Sequence, residues 1–99
     1  MELPIHVDKE RVANFCRRYH ITKLAFFGSV LTDRFRDDSD VDVLVEFDPE
    51  HIPGLLSLVR MERELSETLG RKTDMRTAED LSHYFRDEVV RTALIEYAA

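Results

Sequence analysis

Apolar and polar positions change rhythm several times along this chain, and each change marks an element. Val12, Phe15, Cys16 and Tyr19 recur at i, i+3, i+4 and i+7, the spacing of one buried helical face, and Asp8 stands where a capping residue is needed; the pattern predicts a helix over 8–19. Lys23–Phe27 (KLAFF) is a short aromatic-rich run closed by Gly28, which reads as a strand entering a turn. Val41–Phe47 (VDVLVEF) alternates and predicts a second strand. After breaks at Asp48-Pro49 and Pro53-Gly54, the stripe Leu55, Leu58, Met61, Leu65, Leu69 predicts a helix over 54–69 that Gly70 stops. Arg71–Arg76 (RKTDMR) has little strand propensity, and its shortness and place between two helices predict a third strand. Thr77-Ala78-Glu79-Asp80 has the form of a capping box opening a short helix. Val90, Ala93, Leu94 and Tyr97 share one helical face, which predicts a last helix running to the C-terminus. This order describes an α/β (α+β) domain with helices packed on a short sheet.

The second strand contains an anomaly. Side chains alternate across a strand, so Val41, Val43, Val45 and Phe47 take one face, while Asp40, Asp42, Leu44 and Glu46 take the other. Asp40 and Asp42 are then neighbours roughly 6.6 Å apart. At an effective dielectric near 20, two unit charges at that spacing repel by roughly 2.5 kcal/mol, a large fraction of a small domain's stability. A polar turn accounts for Asp37, Asp38 and Ser39 but poorly for Asp42, because aspartate is depleted in strands. The alternative is a divalent cation between the carboxylates, whose hard oxygens suit Mg²⁺ or Mn²⁺.

Composition narrows the rest. The chain has 99 residues, 43% of them hydrophobic, enough for one domain over 1–99 and one core but not for a second domain that recognises a large substrate. A formal charge of −6 argues against direct nucleic-acid binding over a broad surface. The single Cys16 lies on the buried stripe of the first helix, so no internal disulfide is expected. The opening MELPIHVD has neither a basic start nor an apolar run, so no membrane association is expected and the cytoplasm is the default compartment. Composition leaves homo-oligomerisation open.

Other metal motifs fail. Asp38, Asp40 and Asp42 begin like an EF-hand loop, but Val43 replaces its glycine and Pro49 its terminal glutamate. The four histidines are scattered, and no zinc motif occurs. Gly28-Ser29 adds a phosphate-binding component instead. Glycine after a strand lets a backbone approach a ligand, and a helix beginning at Val30 would offer free N–H groups beside the Ser29 hydroxyl.

Phe27-Gly28-Ser29, ten further residues, and then Asp40-Val41-Asp42 resemble the signature of the DNA polymerase β-like nucleotidyltransferases. From Leu24 onward the chain resembles the minimal nucleotidyltransferases, the antitoxins of HEPN–MNT toxin–antitoxin pairs. The resemblance implies a polymerase β-like fold with a short mixed sheet flanked by helices. It also implies transfer of AMP from ATP with two Mg²⁺ ions, Mn²⁺ being an acceptable substitute, to a tyrosine hydroxyl of a cognate HEPN-domain ribonuclease toxin. By that resemblance Asp40, Asp42 and Asp74 are the catalytic and metal-binding carboxylates, and Gly28 and Ser29 hold the triphosphate. Many relatives carry arginine soon after the Gly-Ser, whereas this chain has Val30 and Thr32 and leaves Arg34 and Arg36 as the nearest cations; Arg36 is the expected nucleotide contact. Two other readings stay open: a contact-only antitoxin, and transfer to a small molecule, which lacks an acceptor domain here.

Overall fold

The computed structural model describes residues 3–99. Asp8 caps α1 (Lys9–Arg18), its carboxylate accepting from the Arg11 N–H at 3.1 Å. The strands β1 (Ile21–Phe27) and β2 (Val41–Phe47) pair antiparallel, and a four-residue 3₁₀ turn, Gly28–Leu31, follows β1. The helix α2 (Leu55–Leu69) ends at Gly70, whose φ of 70° is the left-handed conformation that glycine accepts without penalty. The third strand, β3 (Thr73–Arg76), runs parallel to β2, with Asp42 opposite Asp74.

The four strands lie in the order β3-β2-β1-β4. One face is covered by α1 and α2: Val12, Phe15 and Cys16 of α1 and Met61, Leu65 and Leu69 of α2 bury against Leu24, Phe26, Val41, Val43 and Val45. The valine face of β2 is core, as its alternation predicts. Leu44, on the opposite face with Asp42, is also buried, so that face is not wholly open to solvent. Burial pushes the Cys16 thiol up to about 12, consistent with an inert core residue.

Two expectations about the later elements need correction. The capping box at Thr77 forms, with Asp80 Oδ2 accepting from the Thr77 N–H at 3.0 Å, but it opens only a 3₁₀ turn over Ala78–Asp80. The expected C-terminal helix is two elements, a short α3 (Arg86–Thr92) and a strand β4 (Leu94–Ala98), separated by Ala93 at extended φ −60°, ψ 143°. Strand pairing outweighs helical spacing there. The free edge of β1 needs a partner, and β4 supplies it antiparallel, with Ala25 opposite Ile95 and Leu24 opposite Tyr97. Tyr97 then packs on the core, while Val90 remains exposed.

Candidate active site

Parallel pairing of β2 and β3 sets Asp42 directly opposite Asp74. By strand parity Arg76 shares the face of Asp74, and its Nη2 donates to Asp74 Oδ2 at 3.1 Å. Phe27, Asp42, Asp74, Arg76, Asp80 and Phe85 line an open hollow of about 250 Å³ on this face, floored by the sheet and walled by the segment between β3 and α3. The Asp42 carboxyl is raised above its ordinary range, first by partial burial, then by the charge of Asp74; Arg76 partly offsets this, and Asp40 contributes least. The strongest electrostatic neighbour is therefore across the sheet. Asp40, the neighbour that strand spacing predicts, is the lesser one.

Asp40 itself precedes β2, is exposed, and lies 3.9 Å from Lys72 Nζ. Among the described residues no three His, Cys, Asp or Glu side chains are close enough to form a ready metal cluster. Asp42 and Asp74 are brought together, whereas Asp40 lies just before the strand with Lys72 as its charged neighbour.

Gly28 closes the other side. Its φ of 78° is left-handed, and a Cβ there would overlap Asp42 Oδ2 and lie 3.3 Å from Asp42 Cγ. The backbone of the Gly-Ser turn thus abuts the Asp42 carboxylate, which only glycine permits. Instead of a helix from Val30, the turn is a single 3₁₀ turn whose Ser29 carbonyl accepts from the Thr32 N–H and hydroxyl, both at 2.9 Å. A turn this short has little macrodipole, so any anion would rely on local N–H groups and the Ser29 hydroxyl.

Arg36 is exposed, and its guanidinium makes no hydrogen bond or ion pair among the described residues. The guanidinium that does line the hollow is Arg76, a residue the spacing argument missed. Its signal was present, since Arg76 stands two positions beyond Asp74 in a strand. Asp80 and Phe85 carried none, because their approach depends on how the 77–85 segment folds back.

Comparison with known proteins agrees with this architecture: residues 9–98 match the nucleotidyltransferase domain family. The chain belongs to that family. A Methanocaldococcus jannaschii protein that carries the provisional name of a protein adenylyltransferase is 29% identical over 90 residues, covering 91% of this chain and 95% of its own. A solved structure, described provisionally as a minimal nucleotidyltransferase, shares 32% identity and superposes with a TM-score of 0.71 over 87% of this chain and 86% of that one. A toxin–antitoxin complex solved with AMP-PNP has the same fold in a chain 15% identical, with a TM-score of 0.74 over 94% of this chain and 75% of that one. The mixed four-stranded sheet flanked by helices is thus a nucleotidyltransferase fold. No helix among the described residues of this nucleotidyltransferase is long and apolar enough to cross a membrane.

Proposed function

We propose that this nucleotidyltransferase transfers AMP from ATP to a tyrosine hydroxyl of a HEPN-domain ribonuclease toxin and so acts as its antitoxin. The observation that carries the reading is the in-register pair Asp42–Asp74 beside the left-handed Gly28. Two carboxylates held together, with Asp42 raised by burial and by Asp74, suit a cation, and the missing Cβ at Gly28 lets the backbone of the turn approach the Asp42 carboxylate closely. These residues fit a divalent metal: Asp42 and Asp74 would hold it, with Asp40 completing the set, and Mg²⁺ or Mn²⁺ matches their oxygen donors. Bound there, the cation would neutralise triphosphate charge and favour ionisation of the attacking hydroxyl.

The protein's own groups then have distinct tasks. Gly28 and the Ser29 hydroxyl hold the phosphates, Arg76 supplies positive charge at the wall of the hollow, and the exposed Arg36 is a further cation for the nucleotide. Asp74 accepts the tyrosine proton, directly or through water, as its oxygen attacks the α-phosphorus. A P–O bond to tyrosine forms, the α–β phosphoanhydride bond breaks, and pyrophosphate leaves. The names of the similar proteins support this choice of class: one is a protein adenylyltransferase by its provisional name, and another comes from a toxin–antitoxin pair. In this reading the acceptor is a hydroxyl of another protein.

Incubation with labelled ATP, Mg²⁺ and the partner toxin tests this directly. Label should appear on the toxin with wild-type protein and vanish with Asp42→Ala; equal labelling by the variant would sink the proposal. Toxin neutralisation that survives both Asp40→Ala and Asp42→Ala would point instead to an antitoxin acting by contact alone.

A further inference from the structure

The segment from the Gly28 turn to β2 carries Asp40, yet between residues 32 and 40 it contains no helix or strand and is largely exposed. Such a loop would ordinarily be mobile. One side chain from outside it supplies an anchor. Arg71 Nη2 donates to the carbonyl oxygens of Arg36, Asp37 and Ser39 at 2.7, 2.9 and 2.8 Å. The same guanidinium sits 4.5 Å from the centre of the Phe35 ring.

The neighbours of Arg71 complete the grip. Gly70, in its left-handed conformation, turns the chain out of α2 and toward the loop. The Lys72 carbonyl then accepts from the Val41 N–H at 2.8 Å. Arg71 and Lys72 therefore hold the chain on both sides of Asp40, at the Ser39 carbonyl and the Val41 N–H. Within the loop, the Arg36 N–H donates to Ser39 Oγ at 2.9 Å and the Ser39 N–H to the Arg36 carbonyl at 3.1 Å, so the clamped carbonyls belong to one closed turn.

We propose that Arg71 is a positioning residue of the active site: by clamping residues 35–39 it fixes Asp40 beside Asp42 and so sets the affinity for the divalent cation. This rests on the nucleotidyltransferase reading of the site. Lysine replaces it only in part, because an ammonium can donate to the carbonyls but lacks the planar face that lies over the Phe35 ring.

The test compares wild type with Arg71→Met, Arg71→Lys and, as a control for the site itself, Asp42→Asn. Three quantities are measured: amide exchange at Arg36, Ser39 and Val41 in metal-free protein, Mn²⁺ affinity by calorimetry, and the Mg²⁺ dependence of transfer. With loss of a charge-assisted clamp, exchange at these amides should rise and Mn²⁺ affinity fall, each by about tenfold, while the thermal midpoint moves by less than about 5 °C. In Arg71→Lys, kcat at saturating Mg²⁺ should return to within about threefold of wild type, as expected when the lost interaction serves binding. A folded Arg71→Met that exchanges and binds Mn²⁺ like wild type overturns the proposal, as does a loosened loop with unchanged Mn²⁺ affinity. If wild type binds Mn²⁺ no better than Asp42→Asn, the site reading itself has failed and the positioning role falls with it. Should Arg71→Met not fold, Arg71→Lys carries the same comparison.

Discussion

The two outer strands of the sheet differ in almost every respect. β3 pairs parallel with β2, and its other edge is closed by α2: Ser66 Oγ accepts from the Thr73 N–H and Glu62 Oε2 from the Met75 N–H, both at 2.9 Å. Thr73 is buried as a result. β4 pairs antiparallel with β1, has no strand beyond it, and leaves Ile95 54% exposed. The sealed edge carries Asp74 and Arg76, whereas the open edge carries no side chain of the hollow. Chemistry sits where the backbone is held by side chains from a second layer, and β4 completes the sheet.

The largest consequence is a division of labour between the edges. Asp74→Asn should lower AMP transfer by about 10³-fold, the range for losing a positioned proton acceptor, with no loss of thermal stability. Transfer assays beside a melting curve check both parts. Tyr97→Ala on β4 should do the reverse, costing about 2 kcal/mol of unfolding free energy by removing a half-buried ring from the core, while transfer per folded molecule is unchanged. A Tyr97→Ala protein that is stable but inactive would show that the open edge reaches the site after all.

A smaller effect tests the seal itself. Ser66→Ala leaves the Thr73 N–H without its acceptor at a buried position and should cost about 1–2 kcal/mol in denaturant unfolding. Transfer should weaken as well, because the register of β3 sets Asp74 against Asp42. A change in stability with no change in transfer would separate the seal from the site.

The same contrast explains what the sequence revealed. α1, β2 and α2 are legible by their period and β1 by an aromatic run, with ends marked at Asp8, Gly28, Asp48-Pro49 and Gly70. The third strand was readable only by its place between helices and by its Asp74. LIEYA reads as helix in the sequence because Val90, Ala93, Leu94 and Tyr97 satisfy a helical spacing and no glycine or proline marks the break at Ala93. What made it a strand was the unpaired side of β1, a tertiary demand invisible in a local window. The carboxylate pair was half legible: parity gave the face of Asp42, but its main partner follows from the β2–β3 register, which depends on how α2 returns the chain.

The smallest predicted effect concerns charge on the sealed side. Burial and Asp74 raise the Asp42 carboxyl above its ordinary value of 3.8, so in metal-free protein the folded state holds this proton more tightly than the unfolded chain does. The sign follows from proton counting. Between the unfolded and folded pKa values the native state binds more protons, so its stability falls as pH rises through that window, and the favourable contribution is complete only below about 3.8. At neutral pH the ionised Asp42 is therefore a net burden, and Asp42→Asn should be more stable than wild type in the presence of EDTA. That advantage should fade on acidification below the ordinary aspartate range. Saturating Mn²⁺ should reverse the order, because only wild type gains from binding through this carboxylate. Unfolding curves from pH 7 to pH 3, with and without metal, check the sequence of outcomes; an Asp42→Asn protein less stable than wild type in EDTA would mean that Arg76 already compensates the charge without a cation.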